Sequence, residues 1–217
     1  MDNKRKISMA VVRRLPKYHR YLLELINNDV DRISSKELSE RIGFTASQIR
    51  QDLNNFGDFG QQGYGYNVKE LYREMDKILG LNMEYNTIII GAGNVGQAIA
   101  NYTNFEKIGF KLQALFDKNP KLIGLKIRDI EIYDIDDLPA FVRSNKINIA
   151  VICTPRSQAQ EVADLLVDLD VKAIWNFAPV DLEVPEDVLV ENVHLSDSLI
   201  TLAYRINEPK LLKNVKK

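Results

Sequence analysis

Tyr85-Asn86-Thr87-Ile88-Ile89-Ile90-Gly91-Ala92-Gly93-Asn94-Val95-Gly96 sets the fold. Thr87 to Ile90 is a β-branched run of the kind buried on both faces in a parallel sheet. It enters a GxGxxG turn, and Gln97 to Tyr102 continues as helix. Spacing of this kind between a strand and a helix has a physical reading. Gly91 makes the tight turn, Gly93 lets a pyrophosphate approach the backbone, and Gly96 lets helix and strand pack closely. The free amides of the helix start face the phosphates with a favourable dipole, and Ala92, Asn94 and Val95 join the glycines as cofactor-binding candidates.

The next strand, Lys111 to Phe116, ends at Asp117, 21 residues beyond Gly96. A carboxylate there accepts from a ribose 2′-hydroxyl and repels a 2′-phosphate, which favours NAD(H) over NADP(H). Lys118 beside it weakens that exclusion without reversing it. The alternation continues with helix Asp136–Ser144, strand Ile147–Cys153, helix Ser157–Leu169 and strands Lys172–Asn176 and Val188–Val193. This pattern specifies an α/β, doubly wound parallel Rossmann sheet. Ligands bind at the carboxyl ends of such strands. Thr154-Pro155 and Phe177-Ala178-Pro179 are therefore either pocket walls or ordinary connecting loops.

Upstream, Leu15, Tyr18, Leu22, Leu25 and Ile26 fall at helical spacing within Arg14–Asn27, with Pro16 in the first turn. Ser34-Ser35-Lys36-Glu37 is a capping box that opens a helix stopping at Gly43. Thr45-Ala46-Ser47-Gln48 reads as a second box opening a third helix through Ile49, Leu53 and Phe56. Two short helices around a tight turn make a helix-turn-helix. The outer face of the third helix carries Ser47, Gln48, Arg50, Gln51 and Asn54, side chains able to read base edges. A small helical bundle with a polar outer face is the other reading. Gly57 to Tyr66 interleaves glycines with aromatics, as a wing does, and Val68–Leu79 closes a winged-helix domain.

The expected domains are thus 1–80 for DNA, 81–194 for the nucleotide and 195–217 for a terminal helix and tail. Charge supports the division: the chain is −1 overall, with +3 on residues 1–80 and −4 on the rest. Lys4, Arg5, Lys6, Arg13, Arg14, Lys17 and Arg20 concentrate the positive end, as a nucleic-acid surface or a solvated basic tail. Cys153 is the only cysteine, which excludes a disulfide framework and a cysteine metal cluster and fits a reducing cytoplasm. No apolar run reaches membrane-spanning length, and Met1 to Ser8 lacks the apolar core of a signal peptide. No metal site and no catalytic residue are expected. A dehydrogenase needs a substrate domain and a proton-transfer group near the nicotinamide, and after Val193 only a helix and tail remain. His194 reads as a helix-start residue, so the nucleotide is sensed and not consumed.

Together these stretches resemble the Rex family of redox-sensing repressors over essentially the whole chain. They are Arg14 to Leu22, Ile49-Arg50-Gln51-Asp52-Leu53, Phe56-Gly57, Gly63 to Tyr66, Gly91 to Gly96 and Asn176 to Pro179. The resemblance implies a homodimer that binds palindromic operators at a low NADH/NAD+ ratio and releases them when NADH binds, controlling fermentation and respiration genes. Arg14, Lys17, Gln62, Gly63 and Tyr64 join the third helix as DNA-binding candidates. It also implies a C-terminal helix exchanged between subunits; packing on the helix's own sheet is the alternative. Gln51 and Gln62 stand where the family carries basic residues. His194 stands where it often places an Asp able to pair with the arginine matched by Arg20, so that coupling is either absent here or taken over by Asp197 almost one turn later. Arg20, Tyr102, His194 and Asp197 are the candidates for coupling the domains, and Tyr102, in the helix after the glycine loop, is also expected near the nucleotide. The alternatives are a small NAD-dependent reductase, or a CoA-binding sensor, fused to a DNA-binding module.

Overall fold

The computed structural model describes residues 7–57, 59–61 and 64–215. Lys4, Arg5, Lys6, Gln62 and Gly63 lie outside the described residues. The chain divides into two compact units, residues 1–83 and 84–217.

The first unit opens with α1 (Met9–Val12) and α2 (Leu15–Asn27). One face of α2 buries Leu15, Tyr18, His19, Leu22 and Leu25, the set that period 3.6 places together. After β1 (Arg32–Ile33), Ser34 and Glu37 form the expected reciprocal capping box at the start of α3 (Ser35–Ile42). The second box is only half made. Thr45 accepts from the Gln48 amide at the start of α4 (Ala46–Asn54), without the reciprocal side-chain bond that Glu37 makes at α3. Helix α4 also stops at Asn54, leaving Phe56 in the following turn.

The glycine-aromatic stretch forms β2 (Gly60–Gln61) and β3 (Gly65–Asn67). Sequence reading missed β1, which pairs Ile33 with Tyr66 and makes a three-stranded sheet of order β1-β3-β2. A two-residue strand is too short to show alternation. Helix α5 (Val68–Leu79) closes the unit and buries Val68, Leu71 and Met75 against the core of α2, α3 and α4. His19 pins α2 to α5: its Nε2 lies 2.7 Å from Asp76 Oδ1 and its ring stacks on Tyr72 at 4.7 Å.

The second unit runs β4 (Tyr85–Ile90), α6 (Asn94–Ala100), α7 (Asn104–Lys107), β5 (Phe110–Asp117), β6 (Lys126–Ile127), β7 (Ile130–Asp134), α8 (Leu138–Ser144), β8 (Ile149–Ile152), α9 (Arg156–Asp168), β9 (Ala173–Asn176) and β10 (Leu189–Asn192). Its seven-stranded sheet has the order β10-β9-β8-β4-β5-β7-β6, parallel except for the β6–β7 pair. The β6–β7 hairpin and α7 were not expected from the sequence. The sheet is doubly wound. Ile88, Ile90, Phe116 and Ile152 pack with Ala159, Ala163 and Leu166 of α9, while Ile89, Leu115 and Val151 face the other way with Ala100 of α6. Helix α10 (Leu195–Val215) follows, and every residue from 195 to 208 is exposed. Its stripe of Leu195, Leu199, Leu202, Ala203 and Ile206 therefore does not pack on its own sheet.

Gly65 is fixed by the wing. Its φ is +70°, and a β-carbon there would lie 2.5 Å from the Ile33 carbonyl oxygen, across the β1–β3 pair. The backbone conformation alone penalises a side chain by about 1–3 kcal/mol. We expect Gly65→Ala to destabilise the first unit by at least that amount in urea denaturation. Unchanged stability would show that the wing is not anchored through this approach.

Candidate dinucleotide cleft and DNA-reading face

The glycine turn and the carboxyl ends of β4, β5 and β8 surround a cleft of about 530 Å³. Its three motif glycines have different causes. A β-carbon on Gly91, whose φ is +98°, would lie 2.7 Å from the Cys153 carbonyl oxygen, and one on Gly96 would fall on the carbonyl oxygen of Gly91. Both are required by the protein's own packing. Gly93 has extended backbone and meets no protein atom within 4 Å, so a methyl there would project into open space beside the cleft. The fold tolerates a side chain at that point; a ligand lying against the loop would not.

Asp117, the last residue of β5, holds the loop as well as edging the cleft. Its Oδ2 accepts from the Ala92 amide at 2.7 Å and its Oδ1 from the Asn119 amide at 2.8 Å. Ala92 and Gly96 are buried structural members of the turn. Gly91, Gly93, Val95, Asp117 and Lys118 line the opening. Asn94, in the first turn of α6, is exposed. On the opposite wall Thr154, Pro155, Phe177 and Pro179 line the cleft, whereas Ala178 faces the core. The fully buried Asn176 shapes that wall. It donates to Val180 O at 2.7 Å and to Asn192 Oδ1 at 2.8 Å, and accepts from the Ala178 amide. Sequence reading gave Asn176 no role, because only its position in the resemblance marked it.

Two features test what the cleft suits. Thr154 Oγ1 is buried with no hydrogen-bond partner among the described residues, a cost of about 1–3 kcal/mol unless a ligand supplies one. The volume lies within the range of small-molecule and cofactor pockets. A dinucleotide therefore fits this donor and acceptor set. Burial pushes the neighbouring Cys153 thiol up to about 12, so it stays protonated near neutral pH and is a poor nucleophile.

Tyr102 does not belong to this cleft. Helix α6 ends at Ala100, and Tyr102 lies in the turn before α7, packed on Phe105 at 4.7 Å. With Phe105, Trp175, Ile89, Val151 and Leu189 it lines a separate apolar groove of about 340 Å³ on the α6 side of the sheet. Of the other coupling candidates, Arg20 and Asp197 are exposed, and His194 Nε2 lies 3.2 Å from Asp181 Oδ1.

In the first unit, α4 presents Ser47, Arg50, Gln51 and Asn54 to solvent along one side, with Gln48 half-buried. Arg50 also donates to Ser35 Oγ at 2.9 Å, which steadies it against the start of α3. Lys17 sits over the Phe44 ring at 4.8 Å. Tyr64 is 70% exposed, with Arg32 stacked on its ring and donating to its carbonyl. Arg32 is a cation that sequence reading passed over, because β1 was invisible. Arg14 is placed differently from expectation: its Nε and Nη2 reach Asp52 Oδ2 and Oδ1 at 2.6 and 2.8 Å. Among the described residues no cluster of side chains could hold a metal ion, and no helix is long and apolar enough to cross a membrane.

Comparison with known proteins agrees with both halves. A model described as "Putative DNA-binding protein N-terminus" matches residues 6–54, and one described as "CoA binding domain" matches residues 82–180. The chain is 71% identical to the redox-sensing transcriptional repressor Rex of Clostridium botulinum strain Hall, over 96% of this chain and 99% of the relative. It is 66% identical to Rex of Thermoanaerobacter pseudethanolicus, over 100% of this chain and 96% of the relative. A solved structure of RSP in complex with β-NAD+ and operator DNA matches with TM-score 0.91 and 65% identity, covering 97% of each chain. RSP in complex with β-NADH matches with TM-score 0.90 and 63% identity, over 96% of this chain and 98% of that one. A winged helix and a Rossmann sheet, each with its site built from the residues described, and full-length relatives of one kind lead to one conclusion: the chain belongs to the Rex family of redox-sensing transcriptional repressors.

Proposed function

We propose that this protein is a cytoplasmic, non-enzymatic repressor that binds palindromic operator DNA as a homodimer and is released when NADH occupies its Rossmann cleft. The observation that carries the cofactor half is the cleft itself. Gly93 leaves open space where a pyrophosphate would lie, Asp117 stands at the end of β5 for the ribose hydroxyls, and Thr154 Oγ1 lacks a partner. The loop from Gly91 to Val95, with Asn94 in the first helical turn, would hold the phosphates. Thr154, Pro155, Phe177 and Pro179 would hold the other end, with Lys118 at the rim. The bound dinucleotide would bring its redox state to the site; among the described residues lining the cleft there is no histidine or tyrosine, and Asp117 is tied to the loop by the two amide bonds it accepts. Relatives solved with β-NAD+ and β-NADH favour this reading over a CoA sensor or a reductase.

Lys17, Ser47, Gln48, Arg50, Gln51, Asn54 and Tyr64 form the DNA-binding set we propose, with Arg32 added from the structure. The bare stripe of α10 and the open groove by Trp175 and Leu189 support a second copy as the partner, since apolar surface on this scale marks an interaction site. Arg20, Tyr102, His194 and Asp197 are retained as coupling candidates. Coupling requires that NADH bind one arrangement of the protein better than the other, because equal affinity shifts nothing.

The direct test is a gel shift with the palindrome that the chain selects from a randomised duplex pool, varying NADH and NAD+ independently. We expect NADH to release the duplex and NAD+ to leave it bound. Retention at saturating NADH would refute the sensing role, and oxidation of NADH by added carbonyl compounds would reinstate the reductase. Gly93→Ala should melt like the parent chain yet bind NADH more weakly by about 1–3 kcal/mol, the cost of forcing a methyl into an occupied space. That is about five- to 150-fold in Kd, readable by fluorescence titration; parental affinity would move the pyrophosphate elsewhere. A chain truncated before Leu195 should sediment as a monomer and lose tight operator binding, because two half-sites are no longer held in register. An intact dimer would remove α10 from the interface.

A further inference from the structure

Asp52 is a carboxylate where the period of α4 asks for an apolar residue. It lies on the inner side of the helix between Ile49 and Leu53, is 1% exposed, and shares their core. Both of its oxygens are engaged from α2. Arg14 donates Nε to Oδ2 at 2.6 Å and Nη2 to Oδ1 at 2.8 Å, and Tyr18 Oη donates to Oδ2 at 2.6 Å. Burial alone would raise the Asp52 carboxyl, but the bonds from Arg14 and Tyr18, with the Arg14 charge, hold it below its ordinary value. It is therefore ionised at neutral pH. The Tyr18 phenol is pushed well up by burial and by the same carboxylate, so it remains a donor.

Stability alone does not account for such a group. The desolvation of a buried ion pair largely cancels its attraction, and well-packed apolar residues do as well or better. Apolar contacts are also non-directional: Ile49 and Leu53 turn the inner side of α4 to the core but set its rotation about its own axis only coarsely. Three short hydrogen bonds on one carboxylate, two of them a planar bidentate pair, do fix it. The opposite side of the same helix carries Ser47, Arg50, Gln51 and Asn54, and a rotation of α4 would sweep all four.

We propose that Asp52, clamped by Arg14 and Tyr18, is a positioning residue for operator recognition that sets the rotation of α4 in the groove. This rests on the DNA-reading role proposed above for α4. Under it Arg14, expected from the sequence to contact DNA, acts through Asp52, and its charge matters less than its fork.

The test uses the full-length chain, the palindrome it selects and a scrambled duplex of equal length, titrated with salt. Asp52→Asn, Tyr18→Phe and Arg14→Lys are compared, with circular dichroism and NADH binding confirming each fold. Arg14→Lys keeps the positive charge but cannot make the bidentate pair. We expect all three to bind the scrambled duplex nearly as the parent does, with the slope of log affinity against log salt changed by less than about one unit. Their preference for the palindrome should fall roughly ten- to hundredfold, the scale of losing one or more aligned base contacts. Should Asp52→Asn fail to fold, Tyr18→Phe, which leaves the ion pair intact, and Arg14→Lys decide the matter. Parental preference in the folded variants would reduce the cluster to packing. Arg14→Lys with full preference, alongside Arg14→Ala with a slope shallower by about one, would make Arg14 a phosphate contact. A parent chain that selects no palindrome would instead overturn the DNA-reading role itself.

Discussion

Between β4 and α6 the backbone passes itself so closely that no β-carbon fits: one on Gly96 would fall on the Gly91 carbonyl oxygen, and one on Gly91 would fall on that of Cys153. That approach brings the start of α6 over the carboxyl ends of β4 and β8 and makes the cleft a property of the sheet. Asp117 then ties the turn to β5 through the Ala92 amide. The opposite wall is set independently by Asn176, whose side chain bridges the loop after β9 to β10. Nothing in the cleft depends on a long mobile segment. It is assembled from strand ends and the turns that follow them.

The first unit solves a different problem. Helix α4, of nine residues, is too short to be stable alone, and its outer side is polar and exposed. Its inner side carries Ile49 and Leu53 into a core shared with α2, α3 and α5, which supplies cohesion. Orientation comes from directional groups: the Thr45 cap, the Asp52 cluster and the Arg50 bond to Ser35. Gln48 contributes to two of these, its amide to the Thr45 cap and its side chain to the lowering of the Asp52 carboxyl.

Much of this was readable from the residues. The β-branched run into GxGxxG, the carboxylate at Asp117, the Ser34–Glu37 box and the Val68–Leu79 helix each combine a local preference with a spacing that has one physical use. What escaped lacked one of the two. Strand β1 has two residues and no period. The β6–β7 hairpin offers only Ile130-Glu131-Ile132-Tyr133, too short to distinguish from loop. Tyr102 was misplaced because helix α6 ends two residues early, and each helical residue turns the side chain by about 100°. Asp52 was legible only as a violation, a charge inside an apolar stripe, and a violation reveals its partners only once Arg14 and Tyr18 are brought beside it. Arg32 became visible only with β1.

Asp117 carries a consequence for anyone recasting the protein as a biosensor for a phosphorylated coenzyme. The customary change is to replace the acidic residue at the end of the second strand with a small or neutral one, so that a 2′-phosphate is admitted. Here the same carboxylate is the acceptor for the amide of fully buried Ala92 and for that of Asn119. Its removal would strand a buried donor in the glycine turn, at about 1–3 kcal/mol, and loosen the loop on which every dinucleotide depends. The carboxylate proposed to select the coenzyme is thus also part of the scaffold. Asparagine, with one acceptor oxygen, would keep only one of these two bonds, so a redesign would retain the carboxylate and work from the rim at Lys118.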